Sequence, residues 1–297
     1  MSFLTEKKVL VTGASGFIGE HLCRSLAKQN AVVFGVSRNI RDGAIAGVKS
    51  LRADLSDERQ IKELIEKVQP DYVYHLASYV SGAREVDAVK PTLMHNLLSV
   101  LHLLTAIQNT RCKRIILAGS LEETDADAAV PCSPYAAAKS AATMYASMFH
   151  ALYQTPIVTA RLFMVYGPAQ KDEKKLIPYT IKKFLKGEPA QFSSGEREVD
   201  WIYVDDVVEA LILMAEKPGL EGEILDIGSG ELFTIREIVE TLHKITQSKS
   251  RLEFGAIADR PQERIRRAEV EKTAGVLGWR PRLSIADGLQ KTIQLHR

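Results

Sequence analysis

The chain is poor in cysteine, and it has no excess charge of either sign. Its 297 residues include three cysteines, Cys23, Cys112 and Cys132, whose odd number and spacing fit neither a disulfide framework nor a four-ligand zinc site. We therefore interpret them as incidental thiols and predict no metal site. The 39 basic and 37 acidic side chains give a net charge of +2. This balance excludes the overall basic excess of a dedicated nucleic-acid binder.

Long apolar runs are also missing. Among the longest is the run from Ala210 to Ala215, which is far shorter than the ~20 residues that span a bilayer. The first eight residues contain no apolar region followed by a cleavage site, so we expect no secretory signal. The sequence predicts a cytoplasmic protein without a membrane partner. Lys174–Lys186 reads as a basic amphipathic helix, and we favour a solvated helix face there over a nucleic-acid surface.

What the sequence does contain is a regular alternation of short apolar runs and amphipathic segments. Strands are predicted over 8–12, 31–36, 48–53, 71–77, 113–119 and 157–163, and helices over 17–29, 56–68, 86–109 and 134–153. Ser56 is the predicted N-cap of the second helix, and Pro91 is a possible interruption of the third. The alternation predicts a doubly wound α/β fold, a parallel sheet with helices on both faces. Such sheets bind ligands at the carboxyl ends of their strands.

Three glycines lie between the first strand and the first helix. Gly13, Gly16 and Gly19 have the spacing of a phosphate-binding loop, in which the helix N-terminus faces a pyrophosphate. At the end of the second strand the chain carries Ser37 and Arg38 instead of an acid. A cation there suits a 2′-phosphate, so the sequence favours NADP(H), with NAD possible. Asp54 could flank the adenine or cap the following helix.

A second constellation points to proton transfer. Tyr135 and Lys139 are four residues apart and share one face of a helix. We expect the ammonium group to pull the pKa of the phenol towards neutrality, which would make Tyr135 a general acid or base. Ser120 follows the fifth strand at the ligand-binding edge, where it could bond the same substrate oxygen.

Together these residues resemble the extended short-chain dehydrogenase/reductase superfamily, whose members mostly act on nucleotide-diphosphate sugars. The resemblance rests on the glycine triplet, Asp54–Leu55, His75–Ala77, Ser120, Tyr135 with Lys139, Tyr166–Pro168, Asp200–Asp205 and Gly278–Pro281. It implies a Rossmann domain, formed by residues 1–165 plus about 200–228. A smaller, interleaved α/β substrate domain would take about 166–199 and 229–297. It also implies a homodimer.

The resemblance further implies roles for individual residues. Ser120, Tyr135 and Lys139 would be catalytic. Residues matching the family's cofactor contacts are Gly13, Ser15, Gly16, Phe17, Ile18, Gly19, Ser37, Arg38, Asp54, Leu55, Leu76, Ala77, Ser78, Asn96, Tyr135, Lys139, Leu162 and Met164. The expected substrate contacts are Ser81, Ser120, Glu122, Arg197 and Arg260. Of these, Arg260 matches a phosphate-binding arginine of the family, and Arg197 is the candidate to replace another that the chain lacks. Val199 replaces a phosphate-binding arginine of many members, and Met164 replaces a frequent asparagine, so the substrate pocket departs from the family's pattern.

Several reactions are open within this resemblance. Dehydratases of the dTDP-glucose type carry Asp then Glu after the catalytic hydroxyl, and Leu121 removes that Asp while Glu122 remains. The run Gly119–Glu123 and the pair Ser37–Arg38 favour an NADPH-dependent reductase of a nucleotide-diphosphate 4-keto-6-deoxyhexose. The alternative is a nucleotide-sugar 4-epimerase with tightly bound NAD. A 4,6-dehydratase and a non-catalytic NADP-binding protein are the remaining possibilities.

Overall fold

The computed structural model describes residues 2–124, 130–260 and 264–294. The chain divides into two compact units. The first comprises Met1–Leu162 and Val208–Leu225, and the second comprises Phe163–Val207 and Asp226–Arg297. Residues 163–165, 200–207 and 226–228, which the sequence analysis assigned to the cofactor domain, fall in the second unit.

A seven-stranded sheet organises the first unit. Its strands are β1 (Lys8–Thr12), β2 (Val32–Val36), β3 (Val48–Leu51), β4 (Tyr72–His75), β5 (Arg114–Ser120), β6 (Ile157–Leu162) and β10 (Ile224–Ile227). Their order is β10-β6-β5-β4-β1-β2-β3, and the pairs from β3 to β6 are parallel. The predicted doubly wound α/β fold is confirmed. Thr12 pairs with both Val36 and His75, so the ends of three strands meet at one edge.

Helices α1 (Phe17–Lys28) and α2 (Glu58–Val68) follow β1 and β3. The predicted N-cap of α2, Ser56, is wrong by one residue. Asp57 is the cap, because its Oδ1 accepts hydrogen bonds from the backbone N–H groups of Arg59 and Gln60. Ser56 instead donates its N–H and its hydroxyl to Asp54, which forms a turn one residue before the helix.

The helix predicted over 86–109 is divided into four segments. A 3₁₀ turn (Val86–Ala88) leads into α3 (Val89–Thr92), a π-helical segment (Leu93–Leu98) and α4 (Ser99–Ile107). Pro91 does not break the run, because it lies in the first turn of α3, where its missing N–H costs no helical bond. Wide π-helical turns often occur at functional sites.

The first unit also contains one longer helix and the part of another from Val208 onwards. Helix α5 (Pro134–Tyr153) begins at the N-cap Ser133, whose hydroxyl accepts the N–H of Ala136. Helix α7 (Val204–Glu216) ends beside the buried guanidinium of Arg114. This group donates to the carbonyls of Met214, at 2.9 Å, and Lys217, at 3.1 Å, and it pairs with Glu221. The side chain of a strand residue therefore satisfies carbonyls that the helix end leaves open.

The second unit is built from smaller sheets and helices. Strands β7 (Met164–Tyr166), β9 (Glu198–Tyr203) and β11 (Leu232–Thr234) form one sheet, and β8 (Ala190–Gln191) pairs with β12 (Leu252–Glu253). Its helices are α6 (Leu176–Lys186), α8 (Ile235–Thr246), α9 (Val270–Leu277) and α10 (Ile285–Gln294). The five strands were not predicted, because runs of two to six residues carry little periodic signal. No helix among the described residues is long and apolar enough to cross a membrane.

Candidate active site

The loop between β1 and α1 needs glycine at two points where main chains approach closely. Gly13 has a φ of +71°, and a Cβ there would lie 2.8 Å from the backbone nitrogen of Ala77. A Cβ on Gly19 would lie 2.2 Å from the carbonyl oxygen of Gly13. The N-cap of α1 is Gly16, which has no side chain to occupy the helix N-terminus. These residues fit a dinucleotide, because a helix N-terminus without a side-chain cap offers backbone N–H groups and a positive dipole end to a pyrophosphate.

The ends of β2 and β3 carry the residues predicted to read the adenosine ribose. The hydroxyl of Ser15 donates to that of Ser37 at 2.9 Å, and Nη1 of Arg38 lies 3.3 Å from Nε2 of His95. Partial burial acts to raise the pKa of Asp54, but hydrogen bonds from Ser56 and the charges of His95 and Arg38 leave it lowered. Arg38 therefore faces a histidine and a nearby carboxylate at the point where the second strand ends.

The segment after β4 is held by Asn96, which lies on the π-helical segment and is buried. Its Oδ1 accepts from the backbone N–H of Tyr79 at 2.7 Å and from the hydroxyl of Ser78 at 3.0 Å, and its Nδ2 donates to the carbonyl of Tyr79. Ser81 closes a turn in the same segment by accepting the N–H of Ala83. Asn96 thus fixes the chain that carries Ser78.

His75 lies at the end of β4, beneath this segment. Its Nδ1 lies 3.0 Å from the hydroxyl of Thr12, which also accepts the N–H of Ala77. Burial and the charge of Lys139 lower the pKa of His75 to about 3. The imidazole is therefore neutral at physiological pH, and it links the ends of β1 and β4.

The three predicted catalytic side chains are brought together in the first unit. Ser120 is the last residue of β5, and Tyr135 and Lys139 lie on successive turns of α5. All three are buried. Nζ of Lys139 donates to the carbonyl of Ala118 at 2.8 Å and lies 6.0 Å from the centre of the Tyr135 ring. Hydrogen bonding with the side chains of Ser120 and Ser78 lowers the pKa of the Tyr135 phenol.

The expected pKa of Tyr135 differs from the one that this arrangement produces. Burial raises the pKa of the phenol to about 12, and the carboxylates of Glu122 and Glu123 add to the rise, while hydrogen bonding with Ser120 and Ser78 lowers it. Burial also lowers the pKa of Lys139 to about 8. The spacing predicts proximity correctly, but desolvation of the phenol outweighs the ammonium charge. Tyr135 is therefore protonated in the protein by itself.

Two carboxylates follow Ser120, and they have different surroundings. Oε2 of Glu122 accepts from the hydroxyl of Ser133 at 3.3 Å, and the backbone N–H of Glu122 donates to the Ser120 hydroxyl. Glu123 is buried, and it accepts the backbone N–H of Ser120 at 2.7 Å. The sequence analysis assigned no role to Glu123. Its neighbours Glu122 and Thr124 are polar, so no local signal in the sequence marks Glu123 as buried.

Other predicted site residues lie in the second unit. Arg197 directly precedes β9, and its carbonyl accepts the N–H of Ile235. Arg260 is exposed and follows Asp259, whose carboxylate accepts the N–H and hydroxyl of Ser194. Asp200 is a structural residue, since it accepts the N–H groups of Ser229 and Gly230. The substrate roles of Arg197 and Arg260, and the cofactor role of Met164 on β7, stay predictions.

The arrangement is suited to acid–base chemistry at an oxygen atom. A buried phenol with two serine hydroxyls can exchange a proton with a bound hydroxyl or carbonyl group. Within the described ranges, no group of three or more His, Cys, Asp or Glu side chains could hold a metal ion. The cysteines are free, and burial raises the pKa of Cys23 and of Cys112 to about 12. These two thiols therefore remain protonated and are poor nucleophiles.

Comparison with known proteins agrees with this geometry. The chain is 26% identical to a UDP-glucuronate 4-epimerase of Thermodesulfobacterium geofontis, covering 96% of this chain and 94% of that protein. It is 31% identical to a dTDP-glucose 4,6-dehydratase of an Actinoplanes species, covering 98% of both. Among solved structures, the UDP-glucuronic acid 4-epimerase of Bacillus cereus, in complex with UDP-glucuronic acid and NAD, has a TM-score of 0.85. Its identity is 27%, over 97% of this chain and 98% of that one.

The family profile described as "NAD dependent epimerase/dehydratase family" matches residues 9–228. This range begins in β1, includes the glycine loop, Ser120, Tyr135 and Lys139, and ends after β10. The resemblance inferred from the motifs is confirmed at the level of the family, whereas the reductase subtype has no specific match among these relatives. The chain belongs to the NAD-dependent epimerase/dehydratase family of enzymes.

Proposed function

We propose that the chain is a nucleotide-sugar 4-epimerase that holds NAD at the glycine loop. The observation that carries the proposal is the buried phenol of Tyr135, with the hydroxyls of Ser120 and Ser78 acting on it and Lys139 on the next helical turn. The epimerases of Thermodesulfobacterium geofontis and Bacillus cereus support this reading over the reductase. The predicted cofactor contacts belong to the same proposal.

When bound, NAD supplies a hydride acceptor and later a hydride donor. Tyr135 Oη would take up the proton of the carbon 4 hydroxyl as the hydride leaves carbon 4, and it would return that proton to the same oxygen as the hydride is added back on the opposite face of carbon 4. Because the pKa of the phenol is about 12 without ligands, Tyr135 could take up this proton only after losing its own to solvent, and additional positive charge beside the phenol is required to favour that loss. The oxidised nicotinamide is cationic and fits that requirement. Ser120 orients the reacting oxygen.

A dehydratase is less well supported, despite the similarity to the Actinoplanes enzyme. Removal of water from a sugar needs an acid–base group beside the oxidised carbon. Leu121 stands where dehydratases of the dTDP-glucose type carry the acid, and Glu122 is hydrogen-bonded by Ser133. An epimerase needs neither carboxyl group for its chemistry.

A second candidate is the NADPH-dependent 4-keto reductase, which one observation favours. Ser37 and Arg38 directly follow β2, and neither is an acid that could accept hydrogen bonds from the ribose hydroxyls. In that reaction Tyr135 donates its proton to the carbonyl oxygen, which a pKa of about 12 suits directly. The two candidates differ in a measurable way, since a reductase consumes one NADPH for each product and an epimerase consumes none.

For the substrate we propose a nucleotide-diphosphate sugar. Arg197 and Arg260 supply cations for the diphosphate, a role in which charge-assisted hydrogen bonds are strong. We further propose a homodimer, because α5 exposes large apolar side chains. These are Met144, Tyr145, Leu152 and Tyr153.

The test is to incubate the purified protein with NAD and either UDP-glucose or UDP-glucuronic acid, and to follow inversion at carbon 4 by NMR. We expect Tyr135→Phe to lower the rate by about 10²–10⁴-fold. The matched control is Tyr145→Phe on the same helix, where the side chain is exposed and the rate should not change. Parallel binding titrations compare NAD with NADP.

Unchanged turnover in Tyr135→Phe would contradict the assignment of the phenol. Stoichiometric loss of NADPH with a 4-keto sugar, without epimerisation, would replace the epimerase by the reductase. Tight binding of NAD with negligible binding of NADP would exclude that second candidate and leave Arg38 without a cofactor role.

A further inference from the structure

Glu123 makes two hydrogen bonds to the main chain of Ser120, the first of the three predicted catalytic residues in the sequence. Its Oε1 accepts the backbone N–H of Ser120 at 2.7 Å, and its own N–H donates to the Ser120 carbonyl at 3.0 Å. The side chain is 2% exposed. Because a buried carboxylate is costly unless it is paired, it must interact strongly with its surroundings. These two bonds fix the chain direction where β5 ends.

The carboxylate also faces two cations from neighbouring elements. Nε of Arg161, on β6, lies 3.5 Å from its Oε2. Lys139, on α5, interacts with it electrostatically: the carboxylate raises the pKa of Lys139 against the lowering effect of burial. Burial raises the pKa of Glu123 itself, and the Ser120 N–H and both cations oppose this rise. The charges of the three side chains therefore depend on one another.

Other groups around Lys139 cannot replace this carboxylate. His75, facing from β4, is neutral because burial and the Lys139 charge lower its pKa. Tyr135, on the same helix, is protonated, and Ala118 offers only a carbonyl. The charge of Glu122 raises the pKa of Tyr135, whereas the charge that raises the pKa of Lys139 is that of Glu123.

The backbone leaves room for the carboxylate at one particular position. A Cβ on Gly119 would lie 2.6 Å from Oε1 of Glu123 and 3.1 Å from Cγ2 of Thr159. Any larger residue at 119 would displace the carboxylate from the Ser120 N–H. The site under Ser120 is therefore shaped jointly by Gly119 and Glu123.

We propose that Glu123 is a positioning residue that fixes Ser120 at the end of β5 and provides the counter-charge that keeps Lys139 protonated. The proposal rests on the proposed function in so far as Ser120, Tyr135 and Lys139 carry out the chemistry. Its charge component concerns the protein alone and needs neither cofactor nor substrate. Glu123 does not contact the reacting atoms.

The charge component is tested by ¹³C NMR of protein labelled at lysine Cε, with the Lys139 signal assigned from Lys139→Met. In Glu123→Gln, which keeps an oxygen acceptor but loses the charge, we expect the titration midpoint of Lys139 to fall by about one pH unit or more. Glu123→Asp keeps the charge and should retain the midpoint. Glu63→Gln, at an exposed ion pair on α2, is the control and should leave it unchanged.

The positioning component is tested by activity. In Glu123→Asp the side chain is too short to reach the Ser120 N–H, so kcat should fall about tenfold or more. The pH dependence of kcat should stay unchanged, because the charge is retained. In Glu123→Gln the alkaline limb of the profile should move to lower pH, which a structural defect alone would not cause.

An unchanged Lys139 midpoint in folded Glu123→Gln overturns the charge role. Full kcat in Glu123→Asp overturns the positioning role. A wild-type protein inactive on every nucleotide sugar refutes the proposed function, while the NMR titration still decides the charge role of Glu123.

Discussion

At the scale of single residues, the phosphate loop depends most on Gly19. The missing side chain is required by a neighbouring main chain, since a Cβ there would overlap the Gly13 carbonyl, which cannot move as a flexible side chain could. Gly275 provides the opposite case. It lies within α9, and a Cβ there would meet nothing within 4 Å. Substitution of Gly19 therefore tests a steric requirement, whereas substitution of Gly275 tests helix propensity alone.

Gly19→Ala should destabilise the protein by about 1–3 kcal/mol or more, because the backbone must shift to relieve the overlap. Gly275→Ala should stabilise it by up to about 1 kcal/mol, because alanine favours the helix. Urea denaturation measures both. A Gly19→Ala midpoint equal to that of the wild type would show that the loop relaxes at no cost. Cofactor binding should weaken in Gly19→Ala alone.

The sequence predicts the identity of the catalytic residues better than their protonation. Spacing alone puts Tyr135 and Lys139 on one helix face, and the structure has them there. The expected pKa of Tyr135 was wrong, because the desolvation of a phenol depends on side chains distant in sequence. Glu123 went unassigned for a related reason. Its burial depends on the turn after β5 and on space at Gly119, and neither can be read from local pattern.

At the scale of secondary structure, the start of α2 depends on a charge. Hydrogen bonds from the Gln60 side chain, and then from backbone N–H groups, lower the pKa of Asp57. A lowered native pKa means that the cap stabilises the protein above the unfolded value of about 3.9 and that this contribution is lost as pH falls through the native value. The helix end is therefore sensitive to acid.

Asp57→Ala should accordingly lower the thermal midpoint at neutral pH, and this difference from the wild type should become smaller on acidification, as the charged form of the cap is lost. Ser56→Ala is the matched control, and it should have the smaller effect because Ser56 bonds Asp54 and not the helix. Thermal melts from neutral to strongly acidic pH measure both. A larger loss in Ser56→Ala would restore the cap predicted from the sequence.

The positions of the helices were easier to predict from the sequence than their internal geometry. Helices α1, α2, α5 and α6 begin and end within two residues of the predicted segments, because the periodicity of apolar residues can be read from the sequence. The π-helical segment was not foreseen. Its position coincides with Asn96, whose amide bonds the chain beyond β4. A tertiary contact of this kind produces no pattern in the local sequence.

At the scale of the whole molecule, the exposed apolar residues of α5 suggest a partner surface. Leu152 is 67% exposed, and a leucine of this exposure within a group of aromatic and apolar neighbours is costly in water. If two copies of the chain pair through α5, Leu152→Asp should produce monomers. The control is Ile257→Asp, in the second unit, where the side chain is 52% exposed and the oligomeric state should not change. Light scattering gives the mass, and a monomeric wild type would contradict the dimer.

The buried charge of Arg114 has a consequence for the order in which the protein forms during synthesis. The residues that neutralise it and accept its hydrogen bonds, from Met214 to Glu221, follow 100 to 107 positions later. The edge strand β10 also comes from this late segment. A ribosome that has released only the first 162 residues has therefore made a sheet with one open edge and an uncompensated guanidinium. We infer that the nascent first unit stays only partly folded, and exposed to chaperones, until about residue 225 has emerged.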